Sequence, residues 1–416
     1  MRVAWQGPLG AEHGGVEYAG LQLVRGLRGK GVSVDCYIAA GASKVPAVLR
    51  EDPGLKVICR PPRWAWDRWY SRNPMSAFIT GQVARAVAQR QLARLVAERH
   101  ARRPYDVLYQ FSQIELIGIA HVHSALPPIV LHPEVHAAGE LTWHRREDRL
   151  AARGETPQTR LAARAVLTAR ALRQRRDIRL VRRVIAPSRV FASHLATDYG
   201  IPRDRISVVP NPVDLERFAP SRSRSSGRGR APVTVLFVSR MSVRKGVELV
   251  TALSHRLADL AGDVRIEVVG NHTLWSDYRA LLVDLHPAIA SYEGPLENAR
   301  LADTYSRADL LIQPSHYEPF ALTVGEALAS GTPVVASTEV GASEGVDPRC
   351  CAPFPAGDVD AFERAVRAMV DRIRRGHGPA MSRLARAEAE RLFSIDRVAD
   401  GVVESLEAAV TDRASW

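Results

Sequence analysis

At 416 residues the chain is too long for one ordinary hydrophobic core, so two domains are expected. Its composition, 46% hydrophobic and 25% charged, is ordinary for a soluble globular protein. The net charge of +12 is carried mostly by arginine, but no zinc-finger or RRM-type motif accompanies it, so nucleic acid is not expected as a partner.

Short apolar strands alternate with amphipathic helices from the start. The first strand, Arg2–Gln6, is cut short at Gly7-Pro8, which argues against a signal peptide. Gly14 and Gly15 precede a helix at Glu17–Gly29. Glycines there let backbone approach a phosphate, although an ordinary strand–helix turn has the same composition. Gly7-Pro8-Leu9-Gly10 lacks the spacing of a dinucleotide fingerprint. Further strands are predicted at Val32–Ala39 and Lys56–Cys59. The tryptophans Trp64, Trp66 and Trp69 then cluster where a sugar ring, a membrane interface or the underside of a long loop would each accept them.

A helix at Gln82–His100 and strands at Asp106–Phe111, Ile129–His132 and Val184–Pro187 follow. The apolar stretch 114–131 is broken by Glu115, His121, His123 and Pro127-Pro128, so no transmembrane helix is expected. His132 ends its strand and is expected to point into a cleft, or else to cap the strand. His132, Glu134 and His136 do not match H-E-x-x-H, and Pro133 opposes a helix there, so no metal is expected on them. The stretch from Arg145 to Arg183 holds much of the positive charge. It reads as a solvent face or as a surface for an anionic membrane.

Ser221–Pro232 is too polar and glycine-rich for a core element and reads as a linker. Beyond it the alternation resumes, with strands at Val233–Ser239, Arg265–Gly270, Ser291–Glu293, Leu310–Pro314 and Val334–Ala336. Two rounds of alternation predict two doubly wound parallel sheets, with ligands at the strands' carboxyl ends and the site in the cleft between. Arg240 and Lys245 follow one such strand and precede a helix, which suits a diphosphate. Glu318 sits in a loop after the strand at 310–314, and Glu326 in the helix that follows. The amides of Phe320, Ala321 and Leu322 lie at that helix's positive end. Asp358-Val359-Asp360 opens a helix and reads as an N-cap, not a metal motif. The four cysteines lack metal-ligand spacing and read as buried thiols of a reducing cytoplasm.

HYEPFALTVGEALAS (His316–Ser330) resembles the donor site of the retaining GT-B glycosyltransferases of family 4, with two glutamates separated by seven residues. VTVLFVSRMSVRKGVELV (Val233–Val250) resembles that family's arginine–lysine diphosphate clamp, RISVVPNPVDLERFAP (Arg205–Pro220) its interdomain hinge, and EHGGVEYAG (Glu12–Gly20) its glycine loop. The ordered set covers most of residues 1–400. It implies two Rossmann-like α/β domains facing across a cleft. Residues 1–220 would form the acceptor side, joined by a C-terminal helix at 395–416. Residues 221–232 would link it to a donor side at 233–394.

The resemblance also implies roles. Glu326 would hold the ribose and Glu318 the sugar hydroxyls. Gly14, Gly15, Gly270 and the amides of Phe320–Leu322 would line the donor, with Arg240 and Lys245 on the diphosphate. His132 would lie near the reaction centre, and Trp64, Trp66, Trp69 and His136 on the acceptor side. Ala321 departs from the family's usual glycine. The implied donor is a UDP- or GDP-sugar, without further cofactor or metal, and the acceptor a glycan, a lipid-linked sugar or a small molecule. The expected setting is the cytoplasm, with peripheral contact at the inner membrane face. A non-catalytic sugar-nucleotide binder on the same scaffold is the alternative.

Overall fold

The computed structural model describes residues 1–10, 15–41, 45–52, 54–61, 74–112, 116, 118–221, 231–271 and 278–412. In chain order the first part runs β1 (Arg2–Gln6), α1 (Val16–Gly29), β2 (Ser33–Ile38), α2 (Ala47–Arg50), β3 (Leu55–Cys59), α3 (Pro74–Arg102), β4 (Val107–Ser112), β5 (Ile129–Pro133), α4 (Ala137–Arg146), α5 (Asp148–Gly154), α6 (Pro157–Asp177), β6 (Arg183–Ala186), α7 (Arg189–Tyr199) and β7 (Ile206–Val208). The second runs β8 (Val233–Val238), α8 (Val247–Arg256), β9 (Val264–Val269), β10 (Ala290–Gly294), α9 (Asn298–Arg307), β11 (Leu310–Gln313), α10 (Leu322–Ala329), β12 (Val334–Ser337), β13 (Cys351–Phe354), α11 (Val359–Arg372), α12 (Gly378–Phe393) and α13 (Ile395–Thr411).

The strands form two parallel sheets, ordered β3-β2-β1-β4-β5-β6-β7 and β10-β9-β8-β11-β12-β13. Central strands such as β8 (VTVLFV) and β11 (LLIQ) are buried at every position, as a sheet covered on both faces requires. In each sheet the winding direction reverses beside the first strand, between β1 and β4 and between β8 and β11. A reversal leaves a crevice outside the strands' carboxyl ends. In the second sheet that crevice is bordered by the loops after β8 and β11, which carry Arg240, Lys245 and Glu318.

Two strands were not predicted. β7 lies inside the stretch read as a hinge, and β13 (CAPF) contains Pro353. Both are edge strands, where half the backbone groups need no partner and proline is tolerated. At the chain's end α13 returns to the first sheet: Val398, Val402, Leu406 and Ala409 join the apolar cluster of Val3, Val24 and Leu27. A Cβ on Gly26 of α1 would lie 3.0 Å from both Ala399 and Ile395, so glycine there permits the close crossing. Asp358 caps α11 as predicted, its Oδ1 accepting from the Ala361 amide at 2.8 Å.

The lobes touch along one seam. His136 Nδ1 is hydrogen-bonded to the Tyr317 hydroxyl at 2.5 Å. The Ser188 hydroxyl donates to the Pro319 carbonyl at 2.7 Å, and the Glu344 carboxylate accepts from the amides of Arg189 and Val190 at the start of α7.

Candidate active site

The site is built where β8 and β11 end. Gly246, at the N-terminus of α8, has φ 70°, and a Cβ there would fall 2.2 Å from the Pro314 carbonyl oxygen. Only glycine lets the β8 loop press against the end of β11. Gly270 supports the same loop from the other side: with φ 149°, its Cβ would sit 1.7 Å from the Ser239 carbonyl oxygen. Its expected part in donor binding is therefore at least partly a matter of backbone packing.

Because the loops are pressed together, the Lys245 ammonium contacts Glu318 Oε2 directly, and Arg244 Nη1 donates to the same oxygen at 3.2 Å. Arg244 also donates to the Tyr317 carbonyl at 3.2 Å, while its own carbonyl accepts from the His316 amide at 2.8 Å. Burial pushes the Lys245 ammonium well down, and the charges of Arg244 and Arg240 push the same way; the Glu318 carboxylate opposes them. Arg240 is exposed beside this cluster and makes no hydrogen bond or ion pair through its side chain among the described residues. Two basic side chains thus share one carboxylate with a third, Arg240, beside them, a surplus of basic groups that suits a diphosphate.

Next to Glu318 the chain turns into α10. Ala321 has φ 75°, a conformation that costs a residue with a Cβ about 1 kcal/mol. The amides of Phe320, Ala321 and Leu322 donate to no acceptor among the described residues. The strained turn leaves these donors at the helix's positive end. Glu326 follows on α10, half-buried, in a narrow recess lined across the lobes by Gly15, Tyr18, Pro212, Asp214 and Leu322. Burial pushes its carboxyl up to about 7, against the nearby Tyr305 hydroxyl and the Arg217 charge. Tyr18 donates to Asp214 in the wall of that recess. Gly15 caps α1 with φ 65°, and a Cβ there would meet nothing, so its backbone angle rather than crowding calls for glycine.

The fold therefore gathers Arg240, Lys245 and Glu318 in one cluster and sets Glu326 in an adjoining recess. Gly14, Trp64, Trp66 and Trp69 lie outside the described residues. Two histidines sit differently from expectation. His132 does not point into the cleft: it is 0% exposed, with Nδ1 hydrogen-bonded to the Tyr109 hydroxyl at 2.6 Å and its ring edge-on to Phe111. His132 is the penultimate residue of β5, an interior strand between β4 and β6, and its side chain takes the buried face. His136 is buried at the lobe seam with both nitrogens engaged, by Tyr317 and by Asp198 at 2.6 Å, and is not free to hold an acceptor in this conformation.

Sequence reasoning missed several partners. Arg244 was masked by its better-placed neighbours, although the Arg244-Lys245-Gly246 run offered a signal. Glu134 Oε2 accepts from Asn211 Nδ2 at 2.6 Å, and Glu134 Oε1 lies 3.7 Å from His132 Nε2. Burial pushes His132 down to about 3 and Glu134 up to about 7, so near pH 7 the imidazole is neutral and the carboxyl is about half protonated. His316 stacks on Trp143 across the seam, with ring centroids 4.9 Å apart, and its Nε2 faces Glu248 and, at 3.9 Å, Glu147. These three are the one group among the described residues with ligand atoms close enough for a metal ion, within 4.8 Å of one another. The imidazole–carboxylate contact already partners them. No sequence spacing could have revealed it, since the residues come from three separate elements.

Residues 13–217 match the family described as Glycosyltransferase Family 4, and residues 232–372 the one described as Glycosyl transferases group 1. The chain is 31% identical to the D-inositol 3-phosphate glycosyltransferase of Xylanimonas cellulosilytica, over 78% of this chain and 75% of that protein. It is 27% identical to the one from Geodermatophilus obscurus, over 98% and 88%. Among solved structures, sucrose-phosphate synthase from Thermosynechococcus elongatus superposes with a TM-score of 0.71 at 19% identity, covering 98% of this chain and 99% of that one. Anabaena HepE in complex with UDP and glucose gives 0.64 at 20% identity, covering 98% and 100%. The chain belongs to the family 4, group 1 glycosyltransferases, and its two Rossmann-like domains form a GT-B fold.

Proposed function

We propose that this glycosyltransferase moves a sugar from a nucleotide-diphosphate donor to an acceptor hydroxyl with retention at the anomeric carbon. The observation that carries the reading is the contact of Lys245 and Arg244 with Glu318, beside Arg240 and the unpartnered amides of Phe320–Leu322. Lys245 and Arg240 would hold the diphosphate, and Glu318 the sugar hydroxyls. Glu326 would accept from the ribose, its partial protonation near neutral pH suiting hydroxyl contacts. UDP-sugars and GDP-sugars both fit; the fold neighbour HepE binds UDP and glucose, which favours testing UDP-glucose first.

In the proposed step the bond from the anomeric carbon to the diphosphate oxygen breaks. The acceptor oxygen bonds to that carbon on the same face, and the acceptor's proton passes to the departing phosphate oxygen. Arg240, Lys245 and the helix-end amides neutralise the charge that develops there. Since these groups supply that charge, the reaction is expected to persist in EDTA. His132 serves as a positioning residue beneath Glu134. The first lobe, with α13, is assigned to the acceptor and residues 233–394 to the donor. Glycan, lipid-linked and small-molecule acceptors fit, and a polyol phosphate belongs in the panel because the relatives carry D-inositol 3-phosphate in their names.

The test is incubation with UDP-, GDP- and ADP-sugars, with and without acceptors, following hydrolysis and transfer. Turnover of one donor that survives EDTA supports the proposal. Tight binding of a donor without turnover on any acceptor would favour the non-catalytic alternative.

A further inference from the structure

The arginine-rich stretch singled out in the sequence has no part in the donor site, and its main helix has an unusual outer face. α6 is anchored on one side. Pro157 opens it behind the Thr156 cap, and its buried Gln174 accepts from the Ala137 amide of α4 at 2.8 Å. The opposite side cannot turn inward, yet it carries Leu161 at 72% and Leu172 at 67% exposure. They stand eleven positions apart, three helical turns, so they project within about 20° of each other, roughly 16 Å apart. Ala165 and Ala169 lie between them on the exposed side. The result is an apolar stripe, not two unrelated leucines.

Arginines frame the stripe. Arg175 and Arg176 stand three and four positions after Leu172, on either side of it, and Arg173 and Arg179 are exposed nearby. Arg176 pairs with Asp177, whereas Arg173, Arg175 and Arg179 make no ion pair among the described residues. Leucine stems flanked by guanidinium groups match a surface with hydrocarbon below and negative charge above.

We propose that the outer face of α6 docks on an anionic lipid bilayer, with Leu161 and Leu172 entering the acyl boundary and Arg173, Arg175 and Arg179 meeting the headgroups. Charge complementarity selects this occupant. A second copy of the chain would bring like charges together across a two-fold contact, and nucleic acid offers no hydrocarbon to the leucines. Among the described residues no helix is long and apolar enough to cross a membrane, so the contact is peripheral. The inference does not depend on the donor assignment.

The test is co-sedimentation of the full chain with phosphatidylcholine vesicles, with and without phosphatidylglycerol, at low and high salt. Wild type is expected to bind only the anionic vesicles. L161S/L172S should lower the bound fraction about 10-fold through loss of apolar burial, and R173Q/R175Q/R179Q should flatten the salt dependence. Both variants should keep the wild-type melting temperature and vesicle-free donor hydrolysis. Failure of wild type to bind anionic vesicles, or equal binding by L161S/L172S, overturns the proposal. So does binding to heparin or DNA that matches vesicle binding and ignores the leucines. A concentration-dependent dimer abolished by L161S/L172S would assign the face to a second copy instead.

Discussion

The two lobes repeat one topology but treat polar groups at their strand ends in opposite ways. After β8 and β11 basic and acidic side chains are set against one another: Lys245 and Arg244 against Glu318, with Arg240 exposed beside them. After β5 they are buried and shifted towards their neutral forms: His132 pushed down to about 3 and Glu134 up to about 7, with Asn211 holding the latter. A cluster with more basic than acidic side chains, one of them exposed, is a place for an anionic ligand. A buried pair shifted towards its neutral forms is a place where hydroxyls or structural packing dominate. The contrast supports the proposed placement of the nucleotide in the second lobe.

The largest expected effect breaks the charged side. Lys245→Ala should weaken nucleotide binding about 100-fold, measured by titration calorimetry with the nucleotide that the donor panel selects, while circular dichroism stays native. Arg244 sharpens the same side. It reaches Glu318 and the Tyr317 carbonyl, so it acts as a positioning residue for the sugar contact. Arg244→Gln should raise the KM for the sugar nucleotide about 10-fold, leave the free nucleotide's affinity nearly unchanged, and be partly rescued by Arg244→Lys. An equal loss for both ligands would put Arg244 on the diphosphate.

On the neutral side the effect is on stability against pH. Glu134 binds its proton more tightly folded than unfolded, so its contribution is most favourable at acid pH and declines as pH rises from about 4.5 to about 7. Urea melts of Glu134→Gln should accordingly gain on wild type across that window, by about 3 kcal/mol. Parallel curves would mean the carboxyl is solvated. At the seam, His316 is raised above its ordinary value despite burial, because Glu248 and then Glu147 favour its charged form. Its stabilising charge is fully present below about pH 6.5 and is lost as pH rises through the raised folded value. His316→Gln should remove that alkaline loss, read by melting temperature across pH. The smallest effect is local: Ala321→Gly relieves the positive φ and should raise stability by about 0.5–1 kcal/mol.

Much of this was legible in the sequence, and the rest failed for physical reasons. Uninterrupted apolar strands such as 233–239 and 310–314 announced buried parallel sheets. The positions of Arg240, Lys245, Glu318 and Glu326 followed from strand ends and from the family resemblance. β7 and β13 were hidden because edge strands need neither alternation nor freedom from proline. The inward turn of His132 depends on which face of β5 its position takes, a register that one sequence does not fix. The Trp143–His316–Glu248 contact joins elements from both lobes, and no local pattern encodes it.

The most direct measurement is amide hydrogen exchange with and without the sugar nucleotide. The amides of Phe320–Leu322 have no acceptor among the described residues. Adding donor should slow exchange at these residues and along 240–246, and Lys245→Ala should abolish that protection. Saturating donor that leaves both segments exchanging as before, or that protects only the ends of the first sheet, would contradict the assignment of the second lobe to the activated sugar.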